Sequence, residues 1–259
     1  MLLVSISYML ISLLISFAAQ GGIYQKSGTT VDASTASDGY LRIMQEPTSE
    51  KLKLRISCGK YTLTYDLNSN GEYEAFPLQL GNGKYKIQVL AQVSGRKYRP
   101  VSSISFKVSL SDAANPYRHP NQYVNYNAET LAVKEAQTLC NGLATDDDKF
   151  KAIYQYIVSN YQYDYDLANA VHSKEIASGY VPVLDGVFES RKGICFDLAA
   201  LTACMLRSQG IPAQLVIGYA DRTYHAWNEV LLQGQWVRCD PTSDICQINV
   251  STYSTESMY

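Results

Sequence analysis

Three short segments hold the residue types of nucleophilic thiol chemistry: Gly193-Ile194-Cys195-Phe196-Asp197, His225-Ala226-Trp227-Asn228 and Asp240-Pro241-Thr242. A cysteine attacks a carbonyl as its thiolate, so it needs a base for its proton and a third group to hold the base's ring. Cys195, His225 and Asp240 supply nucleophile, base and orienter, in that order along the chain. The chemistry implied is acyl transfer through a thioester. Cys195 stands where a glycine-containing loop passes into a helical stretch. The unpaired first-turn amides of such a position favour a thiolate and can receive the oxyanion of a tetrahedral intermediate. Gly193 reads as the residue that lets the backbone turn sharply and leaves room for a substrate carbonyl.

The elements around these residues explain how they would meet. A helix is expected over 195–209, with Leu198, Leu201 and Met205 on one face and Gly210 as its stop. Strands follow at 213–219, 226–232 and 235–239, the last two joined at Gln233-Gly234. In that hairpin, residues opposite each other sum to about 467, which sets His225 and Asp240 at neighbouring positions at its open end. Trp227 shares the parity of His225 and is expected on the same face, walling the site from water. Asn228 points the other way and is read as fastening the strand, and Cys204 as core packing. Upstream, 128–143 reads as a helix closed by Asn141-Gly142. Thr145 caps a second helix that opens on Asp146, Asp147 and Asp148, where the dipole favours acids, and Phe150, Ile153, Tyr154 and Ile157 form its apolar face. Residues 160–185 show no period. Helices followed by an antiparallel sheet make an α+β domain.

The stretches Gly193-Ile194-Cys195, Tyr224-His225-Ala226-Trp227-Asn228-Glu229 and Gln235-Trp236-Val237-Arg238-Cys239-Asp240-Pro241-Thr242 resemble the transglutaminase-like superfamily in its bacterial exported branch. Asp185-Gly186-Val187-Phe188-Glu189-Ser190 and Gly210-Ile211-Pro212-Ala213 fit the same resemblance, which covers about residues 128–245. It implies a papain-like α+β core with Cys195 as nucleophile, His225 as base and Asp240 as orienter. It also implies a side-chain donor to the oxyanion upstream of the nucleophile, for which Tyr163 and Tyr165 are candidates, with Trp227 as a further substrate-side residue. No calcium-binding cluster of the animal-enzyme kind is evident, so neither a metal nor a cofactor is expected.

From 40 to 110 the apolar period is two: Leu52, Leu54 and Ile56, then Tyr61, Leu63, Tyr65 and Leu67, then Tyr85, Ile87, Val89, Ala91 and Val93, then Ile104, Phe106, Val108 and Leu110. Asn68-Ser69-Asn70-Gly71, Gly81-Asn82-Gly83 and Ser94-Gly95 punctuate these runs as turns. Short strands so spaced indicate an antiparallel β-sandwich, read as a spacer or binding module. The chain therefore divides into a leader over 1–19, a flexible linker over 20–39, the sandwich over 40–110, a Pro/Asn-rich linker over 111–127 carrying an exposed His119, and a transglutaminase-like catalytic domain over 128–259. After Asp240 the chain is expected to add little to the core.

The first 19 residues carry no charged side chain and end on Ser16-Phe17-Ala18-Ala19. They read as a signal peptide or, uncleaved, as a membrane anchor, since about 18 apolar residues just span a bilayer. The body is thus expected outside the cytoplasm, secreted or at the cell surface. Of six cysteines, Cys195 must stay free, leaving at most two bridges and a spare thiol; a local Cys239–Cys246 bridge and isolated buried thiols both fit. With 22 basic and 24 acidic residues and no basic run, nucleic acid is excluded as the expected partner. The expected activity is acyl transfer on Gln carboxamides or peptide bonds of a protein or peptide at the cell surface or envelope. The alternatives are a cysteine protease or amidase using water with the same triad, and a non-catalytic surface binding module.

Overall fold

The computed structural model describes residues 22–173, 175, 179–243, 245–247 (main chain) and 252–259. The expected leader lies outside the described residues, among which no helix is long and apolar enough to cross a membrane.

The N-terminal half consists of eight strands: β1 (Ile23–Lys26), β2 (Thr29–Asp32), β3 (Tyr40–Gln45), β4 (Leu52–Cys58), β5 (Tyr61–Leu67), β6 (Glu74–Pro77), β7 (Gly83–Ser94) and β8 (Lys97–Val108). They form two four-stranded antiparallel sheets, β1-β2-β3-β6 and β5-β4-β7-β8. The alternating inward residues of both, among them Val31, Ile43, Leu54, Ile56, Tyr65, Tyr85 and Ile87, share one buried core. This is the expected sandwich, but it begins earlier than its alternation suggests. Residues 23–32, read as linker, are two of its strands. Their signal is hidden because β2 buries polar side chains, of which Thr29 and Asp32 are satisfied by local partners. Thr29 donates to Gln45 Oε1 at 2.5 Å, and Asp32 pairs with Arg42 at 2.5 Å.

The segment 111–127 is a packed joint, not a loose tether. Its 3-10 turn Asn115–Arg118 buries Pro116 and Tyr117, and Val124 is wholly enclosed. Tyr117 donates to Gln79 O in the sandwich at 3.1 Å, and Arg118 Nε donates to Gly210 O in the second domain at 2.9 Å. His119, expected in solvent, is half-buried with its Nε2 2.9 Å from Asp38 O. Burial pulls its pKa below the ordinary imidazole value.

The C-terminal half runs α1 (Leu131–Leu139), α2 (Asp146–Asn160), β9 (Gln162–Tyr163), α3 (Tyr165–His172), α4 (Leu184–Ser190), β10 (Lys192–Gly193), α5 (Cys195–Ser208), β11 (Ala213–Ala220), β12 (Thr223–Leu232), β13 (Gln235–Asp240), β14 (Ile245–Gln247) and β15 (Tyr253–Met258). Thr145 caps α2 by accepting from Asp148 N–H at 3.1 Å, as the sequence indicates. The expected first helix is shorter than 128–143, and α3 occupies part of the stretch without period. There Asp164 caps the helix, accepting from Leu167 N–H at 2.9 Å. Helix α5 is the hub: Leu198 to Leu206 are buried without interruption between the other helices and β11–β12. The sheet order is β14-β13-β12-β11-β15, antiparallel throughout, so the domain is α+β. The chain after Asp240 adds more than expected, because β15 returns to pair with β11 at the sheet edge.

Candidate active site

Every recorded pair of the β12–β13 hairpin sums to 467, from Asn228 opposite Cys239 to Leu232 opposite Gln235. Extended by one pair, that register places Asp240 opposite Trp227, diagonal to His225 on the same face. The two side chains close this gap, with His225 Nε2 2.7 Å from Asp240 Oδ2. Asp240 is fully buried, yet its pKa falls to about 2. Burial opposes ionisation, but donors from His225, Thr242 and Tyr253 outweigh it. Tyr253 OH donates to Oδ2 at 2.8 Å, Thr242 N–H donates to Oδ1 at 3.0 Å, and the Thr242 hydroxyl donates to Oδ1 as well. An ionised carboxylate only accepts, so His225 Nε2 carries the hydrogen and Nδ1 is left for Cys195. Burial pulls the His225 pKa down, but the hydrogen bonds to Asp240 and Cys195 and their charges lift it to about 9.

Cys195 is the first residue of α5 and is partly exposed. The turn before it is built around Asp197, which is fully buried. Asp197 Oδ2 accepts from Ile194 N–H at 2.9 Å and Oδ1 accepts from Tyr180 OH at 2.7 Å. Burial raises its pKa. A Cβ on Gly193 would lie 2.6 Å from Asp197 Cβ. The glycine therefore makes room for this carboxylate, where the sequence suggested room for substrate. Gly193 pairs in parallel with Tyr163, which sets that side chain beside the nucleophile. Burial, and then the neighbouring Cys195, raise the Tyr163 pKa, while a hydrogen bond to the Cys195 main chain works the other way.

The remaining candidates separate. Tyr163 lines a cavity of about 960 Å3 together with Cys195, His225, Phe196 and Tyr180. Tyr165 is 73 % exposed, touching the Tyr163 ring edge-on at 5.0 Å from outside the cavity. Trp227 is fully buried and stacks behind His225 with ring centres 6.4 Å apart. It walls the imidazole but does not line the cavity, so it is not a substrate-side residue. Asn228 fastens the strand as expected, its Nδ2 donating to Ala199 O at 2.9 Å and Gln214 O at 3.1 Å. Cys58, Cys140 and Cys204 are buried, unbridged thiols. Cys239 and Cys246 face each other in the β13–β14 register, but the Cys246 side chain, and with it the bridge, lies outside the described residues. Among the described residues, no group of three or more His, Cys, Asp or Glu is arranged to hold a metal ion.

Three partners were not legible from the sequence. Tyr253 comes from β15, with its ring 5.0 Å from Trp227 and 6.3 Å from His225. Arg238 lies over both Trp227 and Tyr253 and is tied to Glu229 at 2.8 Å. Tyr180 reaches Asp197 from the loop before α4. Neither tyrosine sits in a periodic segment near the motifs, so only the three-dimensional path reveals them.

A cysteine at a helix start, facing a histidine held by a buried aspartate on an adjacent hairpin, is the site of a papain-like α+β cysteine enzyme fold. Residues 134–241 match the transglutaminase-like superfamily. The chain is 27 % identical over 215 residues to YebA, an uncharacterized protein of Bacillus subtilis, covering 76 % of this chain and 25 % of that protein. It is 34 % identical over 85 residues to an uncharacterized protein of Mycobacterium leprae, covering 26 % of this chain and 30 % of the relative. It thus spans no more than about three-tenths of the length of these relatives. A provisionally named cysteine protease from Cytophaga hutchinsonii aligns over 83 % of this chain and 80 % of its own, at 16 % identity and a TM-score of 0.42.

Proposed function

We propose that this chain is an exported thiol enzyme that transfers acyl groups from Gln carboxamides or peptide carbonyls of a surface or envelope polypeptide. The His225–Asp240 contact at 2.7 Å, beside Cys195 at the start of α5, is the observation that carries this. Cys195 passes its proton to His225 Nδ1, and the sulfur attacks the carbonyl carbon. The resulting oxyanion takes over the Cys195 N–H, which otherwise donates to Tyr163, and accepts from the Tyr163 hydroxyl as well. As the C–N bond breaks, His225 returns the proton to the departing nitrogen, so ammonia or an amine leaves and a thioester remains. A second amine or water then gives its proton to His225 and attacks the thioester. The C–S bond breaks and the thiol is restored. Asp240 keeps the ring in the required tautomer throughout. The uncharged leader over 1–19 supports export, and the sandwich serves as a spacer or binding module.

The test is to incubate the protein with a Gln-bearing polypeptide and a fluorescent primary amine, and to follow products by mass spectrometry. Amine incorporation identifies a transferase; deamidation or chain cleavage identifies a hydrolase. Cys195→Ala is expected to lower either rate by about 10³-fold or more. Equal turnover by wild type and Cys195→Ala overturns the proposal.

A further inference from the structure

The turn between β7 and β8 carries a charge that the reaction does not use. Ser94 pairs with Lys97 across it, Gly95 takes a φ of +52°, and Arg96 projects from its tip. Arg96 lines the cavity that holds Cys195 and His225. It also lines a second depression of about 500 Å3 on the outer face of the β5-β4-β7-β8 sheet. That depression includes Thr64 on β5, Lys53 and Arg55 on β4, Gln88 on β7 and Tyr98 on β8, so it crosses the whole sheet. Arg96 is the join between the reacting centre and a groove on the other domain.

The charge of this path is one-sided. Among the described residues, no Asp or Glu lines either space. Lys53 is neutralised by Asp66 at 2.7 Å, but among the described residues Arg55 and Arg96 have no carboxylate in ion-pair reach. The same sheet face continues with exposed Lys84, Lys86 and Lys107, and Lys84 stands directly opposite Lys107. Like charges set across a strand pair cost stability, and the chain as a whole is slightly acidic at -2. A basic face kept against both tendencies fits an anionic partner.

We propose that this groove holds an acidic, extended segment of the same polypeptide whose carbonyl reacts at Cys195. This rests on the assignment of Cys195 as nucleophile and adds a substrate class to it: chains with Asp or Glu residues flanking the reacting side chain. A polypeptide is favoured over other polyanions because the groove runs directly into the site where a polypeptide carbonyl reacts. Tyr98 also offers an aromatic face beside the charges. Crossing four strands spans about 14 Å, which about four extended residues cover.

The test uses two fluorescent peptides bearing the same Gln-mimicking side chain with a chloroacetyl group. One has a tail of about four Glu residues, placed in turn on either side, and the other has Gln in their place. Labelling of wild type but not Cys195→Ala by the neutral peptide reports the nucleophile alone. For the groove, the readout is the ratio of acidic to neutral labelling rates. It is expected to be about tenfold at low salt, to fall as salt screens it, and to approach one in Arg55→Glu and in Arg96→Glu. A ratio of one in wild type, with Cys195 labelled, overturns the groove and leaves the nucleophile intact. So does a ratio that neither substitution changes. Anisotropy of the non-reactive peptides on Cys195→Ala gives the same comparison without chemistry. Equal binding of acidic and neutral peptides there, or tighter binding of inorganic polyphosphate than of the acidic peptide, also overturns it.

Discussion

Asp240 is buried, charged and surrounded by donors, and its influence is transmitted through one imidazole. The linkage has a definite sign. His225 has a folded pKa of about 9, above the ordinary imidazole value near 6.5, so its pairing with Asp240 stabilises the fold fully below about pH 6.5. That contribution fades as pH rises through 9. Asp240 behaves oppositely: its depressed pKa stabilises the fold above the ordinary carboxylate range and is lost as pH falls towards about 2. Replacing Asp240 by Asn keeps the shape and removes the charge. The His225 pKa is expected to fall by at least about one unit, because an opposite charge at this range is worth one to three. The chain has only three histidines, so ring-labelled His resonances can be followed singly through a pH titration. An unmoved His225 titration in Asp240→Asn would show that Asp240 does not hold the ring's proton. The helix start at Cys195 was legible from Gly193, and the meeting of His225 and Asp240 because hairpin pairing is arithmetic. Tyr165 and Trp227 were placed on the substrate side because sequence gives proximity but not direction. One turn of α3 sends Tyr165 outward, and packing sends Trp227 behind the ring.

Strand β15 shows how an element remote in sequence completes a site. It pairs with β11 through a bulge between Ile217 and Gly218. A Cβ at Gly218 would come 1.9 Å from Ser254 O, so the strand approaches closer than any side chain permits. Gly218→Ala is expected to push β15 off the edge, costing about 1–3 kcal/mol and withdrawing Tyr253 from Asp240. Amide exchange over 253–258 should accelerate while the β12–β13 hairpin keeps its protection. Tyr253→Phe separates the two effects: it deletes only the hydroxyl on Asp240 and should slow Cys195 labelling with β15 still docked. Unchanged protection over 253–258 in Gly218→Ala would mean that the close approach is not what seats the strand. Alternation and Gly turns revealed the sandwich strands and the hairpin, since those elements bury one apolar face. The short, polar β15 has no such face, and β2 buries Thr29, Thr30 and Asp32, so neither could be read from periodicity.

At the scale of the molecule, one buried cation joins the parts. Arg207, near the end of α5, is 2 % exposed and is held by main-chain oxygens, with no Asp or Glu in ion-pair reach among the described residues. Its guanidinium donates to three main-chain oxygens: Nε to Ala213 at 2.8 Å, one Nη to His119 at 2.9 Å and the other to Tyr259 at 2.7 Å. These belong to the sheet of the second domain, the joint between domains and the residue after β15. The Tyr259 ring lies 4.3 Å from Tyr123 and 6.2 Å from Tyr65 in the sandwich core, so the same cation reaches both halves. A fixed five-donor fork suits this task, where a lysine's ammonium would not. Arg207→Leu fills much of the volume but removes three hydrogen bonds to main-chain oxygens, of which Tyr259 O alone keeps a recorded second donor, Leu215 N–H; an acceptor left without a partner costs about 1–3 kcal/mol. A total loss of about 4 kcal/mol would lower Tm by about 10 °C in a chain of this size. Because the lost bonds tie the joint and Tyr259 to α5, calorimetry should also resolve two transitions, one for each half. A single transition within about 2 °C of wild type would mean that the aromatic contacts around Tyr123 hold the domains together without Arg207.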